Sequence, residues 1–528
     1  MQAFPDRDWA NRLVHDIIYG VDIGYQGSRR CAPPAQPRNF APTLQDRAAI
    51  STDLVAEVSL GHIAGPFPPA TVPWPHFRCS PLKTVPKKGN TNKLRIIHHL
   101  SYPHGDSVNS HTVDWPCRLA RFDDAVAIVR RLGPGCFMSK IDIKAAYRCV
   151  PVRPADWPIL GMFWDGAYYF HKTLPFGLRS SCHLWERYAT AAHWCLQHVF
   201  HVMDMVHYVD DSFLAASTRD DCQLRLDSSL SGMATLGMPV AEDKTEPPRT
   251  RIRFLGITID SIDMSISLDQ DRIDAIRALV RCWLDSPEAR SLRALQSLIG
   301  TLSWAAAVVR HGRTFIQFLR DLEHEHRSDH PVKPTITLTG DSREDLEWRF
   351  WFLQDWNGIS LLWDAEWLAD NDALLPHTDA SCDGYGAHCG RLWFHARWTP
   401  GQQAIAMEGT TSRDSMPWKE LYAIIVAACT WGHLWQRRRV TFYSDCMPVV
   451  QAMSKGASRS RRMMQLLRVL HHVAARNSFL YRVMHIPGVD NTIADELSRV
   501  FVYSQLSTST RAAIAHSMTT PVLPHIPT

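Results

Sequence analysis

Apolar residues recur along this chain at two periods, and the switches between them mark its parts. Residues 9–19 carry a mixed helical pattern, followed by a passage rich in proline, glycine and alanine. From Arg78 the pattern turns to strands and turns. Residues 162–170 (MFWDGAYYF) set Asp165 and Gly166 between two aromatic runs, which predicts a tight hairpin. Residues 203–215 repeat that plan with acids at the middle. Between Asp271 and about Leu322 the period becomes helical, with Leu292, Leu295, Ile299 and Leu302 at three- and four-residue steps. Pro331 and Pro334 predict a linker. Short strands are then expected around His377, Gly386 and Leu392, and a helix over 416–435. A strand (440–443), a helix (461–475), a strand (479–485) and a short helix (492–500) complete an α/β layer pattern. Residues 504–528, rich in Ser, Thr and Pro, read as a loose tail. No internal repeat is evident.

Composition narrows this picture. The 528 residues predict several domains. A hydrophobic share of 45% with 21% charged residues excludes disorder along the whole length. Lys+Arg at 57 against Asp+Glu at 53 gives a net +4. That balance excludes a histone-like or acidic-tail protein but not a nucleic-acid enzyme with a basic groove. Residues 58–105 hold no acid, yet carry Arg78, Lys83, Lys87, Lys88, Lys93 and Arg95. The start, MQAFPDRDW, lacks the apolar core of a secretory signal, and no apolar run is long enough for a membrane span. Thirteen cysteines with no C-x-x-C pair predict reduced thiols. An intracellular protein, cytoplasmic or nuclear and away from membranes, is expected.

Two sets of acids carry candidate chemistry. Asp142 lies in KIDIKAAYR, and Asp210 and Asp211 lie in YVDD between apolar residues. A lone Asp-Asp is most simply a solvated turn. Acids at the tip of an apolar hairpin are costly unless a cation binds them, and Mg²⁺ favours such oxygen ligands. The second set is Asp379 at a strand end, Glu420 near a helix start, Asp445 at the next strand end and Asp495 in the first turn of a helix. Ser415 is a candidate cap and Pro417 a first-turn residue of the Glu420 helix.

SKIDIKAAY, LPFG and YVDD, in this order, resemble the palm motifs of reverse transcriptases. The resemblance implies that Asp142, Asp210 and Asp211 are the polymerase carboxylates and that Tyr147 is an aromatic gate beneath the sugar. Gly177 would approach the template, while Cys182 stands where the family usually has proline. PLKTVPKKGNTNKLRIIHHL resembles the fingers segment that holds the triphosphate, with Lys88 and Arg95 as its ligands. GMPVAEDK resembles the next palm motif, placing Lys244 near the leaving pyrophosphate, and Phe254-Leu255-Gly256 resembles the primer-grip turn. HHLSYP resembles the tyrosine-recombinase (DIRS-type) branch of retrotransposons. TDAS, WKELYA, YSD and HIPGVDNTIADELSR resemble ribonuclease H, with Asp379, Glu420, Asp445 and Asp495 as its acids. A shuttle role for His485 and hybrid contacts by Arg437, Arg438, Arg439, Lys455, Arg459, Arg461 and Arg462 stay open beside structural and solvated alternatives.

The resemblance implies an α+β and α/β multidomain chain: a right-hand polymerase, then a helical connection, then a ribonuclease H-like domain. The expected divisions are a lead segment (1–70), fingers and palm (71–262), thumb and connection (263–370), ribonuclease H-like domain (371–502) and loose tail (503–528), with no recombinase. The implied activity is RNA-directed DNA polymerase with hybrid ribonuclease. It would use two Mg²⁺ per site, or Mn²⁺ in their place. Expected partners are an RNA template, a DNA primer, the RNA–DNA hybrid and dNTPs. The alternative is an inactive or domesticated nucleic-acid-binding remnant. Oligomeric state is not legible.

Overall fold

The computed structural model describes residues 4–28, 37–41, 43–74, 76–87, 90–286, 288, 290–308, 316–326, 335–338, 340–356, 358–362, 374–407, 415–458, 460–514 and 517–524. The chain forms two compact units, Met1–Thr250 and Arg251–Thr528.

The first unit begins with helices α1 (Arg7–Tyr19) and α2 (Leu44–Ser59) and strand β1 (Ile63–Phe67). A hairpin, β2 (Leu82–Lys87) and β3 (Asn90–His98), follows, then α3 (Phe122–Leu132) and β4 (Phe137–Asp142). A second hairpin, β5 (Gly161–Trp164) and β6 (Ala167–His171), turns at Asp165 and Gly166, both at positive φ, as the sequence predicts. Next come α4 (Ser181–His198), β7 (Met205–Tyr208), β8 (Asp211–Ala216), α5 (Arg219–Thr235) and β9 (Glu246–Arg249). Strands β7-β8-β4-β9 make one antiparallel sheet. Apolar residues of β4, α4 and β8 close over it, with Ile141, Trp185 and Leu214 fully buried.

The expected lead segment is not separate. Leu13, Val21 and Ile23 belong to that same core, and β1 pairs with β6. A Pro/Gly/Ala-rich composition hid this, because the anchoring contacts are long-range.

The second unit starts at Arg251, inside the span 71–262 expected as fingers and palm. Its first strands, β10 (Arg251–Phe254) and β11 (Ile257–Asp260), turn at Leu255 and Gly256. The indole of Trp304 donates to the Leu255 carbonyl at 3.1 Å. Then come β12 (Ser265–Ser267), α6 (Gln270–Asp285), β13 (Arg290–Ser291), α7 (Leu292–Ala305), α8 (Gln317–Glu325), β14 (Thr335–Ile336), α9 (Gly340–Asp355) and β15 (Ile359–Leu361). Leu295, Leu298, Ile299 and Leu302 are buried on α7, as their spacing predicts. The Pro331–Pro334 linker and the 370/371 division fall outside the described residues.

Strands β16 (His377–Ala380), β17 (Gly384–Cys389) and β18 (Leu392–Arg397) form a meander. They are followed by α10 (Pro400–Met407), α11 (Met416–Trp431), β19 (Arg439–Ser444), α12 (Met447–Lys455), α13 (Arg461–Arg476), β20 (Leu480–His485) and α14 (Thr492–Arg499). Helix α11 is apolar on nearly every side and is buried against β16, β17 and α13.

The last segment is not a loose tail. Helix α15 (Thr508–Ile514) buries Ile514 against Trp393 and Leu497, and β21 (Ser517–Met518) joins the sheet. The strand order is β20-β19-β16-β17-β18-β21. The Glu496 carboxylate accepts from the Ser507 amide and hydroxyl and from Thr510, tying α15 to α14. Ser/Thr richness here supplies these bonds rather than disorder.

Candidate active sites

The sheet of the first unit ends at three carboxylates. Asp142 is the last residue of β4 and faces Asp211, the first of β8, in register. Asp210 precedes it in the β7–β8 turn, and the Ile143 amide donates to the Asp210 carbonyl at 2.8 Å. Val209 adopts φ 54°, a strained choice for a β-branched residue. The buried indole of Trp185 on α4 donates to the Val209 carbonyl at 2.8 Å. One residue along the same helix, Glu186 contacts His207 at 3.0 Å. Sequence reasoning missed both anchors, since nothing in α4 announces them.

Burial raises Asp211 to about 6, helped by the negative charge of Asp210. Burial is also the first cause raising Asp210, while Lys244 and Arg95 pull it back. Lys244 grips Asp142 through both oxygens, at 2.9 and 3.0 Å, and that bond raises its own pKa. Asp142, Asp210, Lys244, Tyr147 and Phe176 line one cavity of about 900 Å³.

Arg95 is exposed on β3. Lys88 lies outside the described residues. Gly177 sits at φ 101°, and a Cβ there would meet the His98 carbonyl at 2.6 Å. Backbone crowding is therefore one reason for glycine at this position. Asn109 holds this turn, donating to the Gly177 carbonyl and accepting from the Arg179 amide, each at 2.8 Å. It opens a short 3-10 helix, Asn109–His111, that has no sequence signal. Helix α4 starts at Ser181 without the usual proline; Cys182 occupies its first turn.

In the second unit, Asp379 (β16), Glu420 (α11) and Asp445 (after β19) each place an oxygen within 4.8 Å of the others. Asp379 Oδ2 and Glu420 Oε2 are buried without a hydrogen-bond partner among the described residues. Burial raises Asp379 to about 6 against the help of Ser498. It raises Glu420 further, with the charges of Asp379 and Asp445 adding. Buried oxygens of like charge with no partner are the donor set that suits a hard divalent cation. Asp495 stands at the rim, paired with Arg499 at 2.7 Å. Ser415 is the N-cap residue of α11, but its hydroxyl makes no capping bond, while Pro417 occupies the first turn.

Neighbours complete this site. The Asn491 amide donates to the Thr378 carbonyl at 3.0 Å, fixing the start of α14 beside β16. At Gly488 a Cβ would lie 3.1 Å from Asp445 Oδ2. His485 is exposed at the end of β20, opposite Ser444. The basic cluster is partly occupied: Arg437 pairs with Asp263 at 3.1 Å, Arg461 with Glu344 at 2.7 Å, and Arg462 donates to the Ile405 carbonyl at 2.6 Å. Arg438 and Lys455 are exposed, and Arg459 lies outside the described residues.

A mixed α/β polymerase fold with a palm carboxylate site, followed by a carboxylate-bearing α/β domain, defines the class. Residues 85–259 match the family described as "Reverse transcriptase (RNA-dependent DNA polymerase)". They carry a reverse transcriptase domain, similar to those of retroviral and retrotransposon Pol polyproteins. The Gag-Pro-Pol polyprotein of Human T-cell leukemia virus 2 is 24% identical over 321 residues, 59% of this chain and 20% of that protein. The retrovirus-related Pol polyprotein from transposon gypsy of Drosophila melanogaster is 22% identical over 443 residues, 80% of this chain and 38% of that protein. The chain thus spans between a fifth and two fifths of these two relatives' length. Among solved structures, a foamy viral protease-reverse transcriptase in complex with dsDNA aligns at TM-score 0.47 and 16% identity, covering 91% of this chain and 94% of that one.

Proposed function

We propose that this chain is an RNA-directed DNA polymerase with ribonuclease H activity, which copies retrotransposon RNA and degrades the RNA of the hybrid. The observation that carries the reading is the pairing, in one chain, of the Asp142–Asp210–Asp211 palm site with the Asp379–Glu420–Asp445 cluster. In this reading two Mg²⁺ per site, or Mn²⁺, held by these acids and by Asp495 would offset phosphate charge and orient the attacking and leaving oxygens. Asp142 is bonded to Lys244, so a cation would compete with the ammonium for the same oxygens.

The chain's own residues have distinct tasks. Arg95, with Lys88, would fork onto the triphosphate of a dNTP. Tyr147 would lie under the sugar and leave no room for a 2′-hydroxyl. Lys244, a raised-pKa ammonium beside Asp142, would hold a proton near the leaving group. RNA template, DNA primer and hybrid are the proposed partners, in an intracellular setting. The DIRS-type branch is supported by HHLSYP alone.

Primer extension on poly(rA)/oligo(dT) with Mg²⁺ tests the polymerase. Asp142→Asn should abolish synthesis and leave hybrid cleavage; undiminished synthesis would sink the assignment. Asp445→Asn should do the reverse, and retained Mg²⁺-dependent cleavage of a labelled hybrid would count against the second site. If the unaltered chain does neither, the remnant reading wins.

A further inference from the structure

We propose that Arg148 is a positioning residue for the nucleotide pocket: it holds together the two segments that carry Tyr147 and Phe176, and so sets the preference for deoxynucleotides over ribonucleotides. The inference rests on the polymerase reading above. Tyr147 and Phe176 line the cavity that holds Asp142 and Asp210, with ring centroids 5.2 Å apart at 48°. Both rings sit on short irregular segments. Tyr147 and Arg148 share a 3-10 turn, Ala146–Cys149, entered through Ala145 at φ 53°. That left-handed conformation is costly for alanine, so the turn keeps its shape only where other contacts hold it. Phe176 follows Leu174 and Pro175 and is 42% exposed, a yielding wall by itself.

Arg148 bridges these two segments with a side chain that is only 10% exposed. Its Nη1 donates to His171 Nδ1, at the end of β6, at 2.9 Å, and to the Leu174 carbonyl, two residues before Phe176, at 3.4 Å. Its Nε donates to Glu57 Oε2 on α2 at 2.8 Å. The backbone joins the same segments, since the Leu174 amide donates to the Val150 carbonyl at 3.0 Å. A guanidinium only donates, so His171 Nδ1 accepts and its proton is carried on Nε2. The His171 ring is 3% exposed and lies 5.1 Å from that of His98, whose carbonyl crowds Gly177. A planar fork of donors can serve acceptors on α2, on β6 and in the 174–177 segment at once, whereas an ammonium is a point charge. A gate excludes a 2′-oxygen only while its two walls keep their spacing, and this fork sets it from behind.

The test compares dUTP with UTP, which differ only in the 2′-oxygen, on poly(rA)/oligo(dT) with Mg²⁺ and the full chain. Arg148→Lys keeps the charge but loses the fork, and should narrow the kcat/KM ratio about fivefold, the scale of one net hydrogen bond. His171→Phe keeps a buried ring without the acceptor and should narrow it in the same direction. The double variant should go no further than the larger single effect, because both remove one link. Glu57→Gln leaves an acceptor for Nε and both bonds of Nη1, so the ratio should hold even where the melting temperature falls. A ratio unmoved by Arg148→Lys, single effects that multiply, or an equal narrowing in Glu57→Gln overturns the role of Arg148. Should Arg148→Lys fail to fold, His171→Phe decides alone, and an unmoved ratio overturns the proposal. An unaltered chain that extends with neither nucleotide overturns instead the polymerase reading beneath it.

Discussion

Asp379 is 4% exposed beside two further carboxylates, and this placement fixes how the second unit answers to pH. Its folded-state value of about 6 lies above the ordinary 3.8, and Glu420 is shifted the same way. The folded state therefore binds more protons than the unfolded one between about pH 4 and 6. Stability from these groups is present at the acid end and is lost as pH rises through that window. Asp379→Asn removes the charge and should flatten the dependence, gaining roughly 2–3 kcal/mol near neutrality. Chelated protein melted at pH 5 and 7.5 reads this; an unchanged difference between the two for Asp379→Asn would refute it. Hybrid cleavage should run the opposite way, falling below about pH 6, because a protonated carboxyl no longer holds a cation.

Helix α4 shows how one element aims another. Trp185 and Glu186 reach the β7–β8 hairpin at Val209 and His207, so the helix sets the turn that presents Asp210 and Asp211. Trp185→Phe keeps an aromatic side chain but removes the N–H together with one ring of the buried indole. Turnover in primer extension should fall about five- to tenfold with KM for dNTP little changed, since roughly 1 kcal/mol no longer opposes the strain at Val209. A raised KM at constant kcat would point to a different role. Local patterns made many elements legible: the DG hairpin, the period of α7, and the strand ends bearing Asp142, Asp379 and Asp445. The anchors were not legible, because Asn109, Trp185 and Asn491 act through contacts made only after distant segments meet. The start of the second unit at Arg251 is not legible for the same reason, as β12 finds its partner β15 almost a hundred residues on.

Across the whole molecule, near-neutral charge averages over unlike parts. The acid-free stretch 58–105 lies in the first unit, and acids gather at one centre in each unit. The last residues belong to the second unit's core. Leu506 and Ile514 are 2% and 0% exposed, and Thr519 accepts from the Trp431 indole at 3.0 Å. Ending the chain after Val502 should cost about 3–6 kcal/mol, the burial of two aliphatic side chains. Denaturant unfolding followed by tryptophan fluorescence would show it; an unmoved midpoint would mean the segment contributes nothing.

The pairing of β21 with β18 has a further consequence. Strand β18 would otherwise end the sheet as an open row of amides and carbonyls, flanked by Trp393 and Phe394. Such a border invites the same border of another molecule. A two-residue strand is a small barrier, and it covers that border at Leu392 and Trp393. Removing the Ser/Thr-rich stretch would bare these two residues of the sheet border.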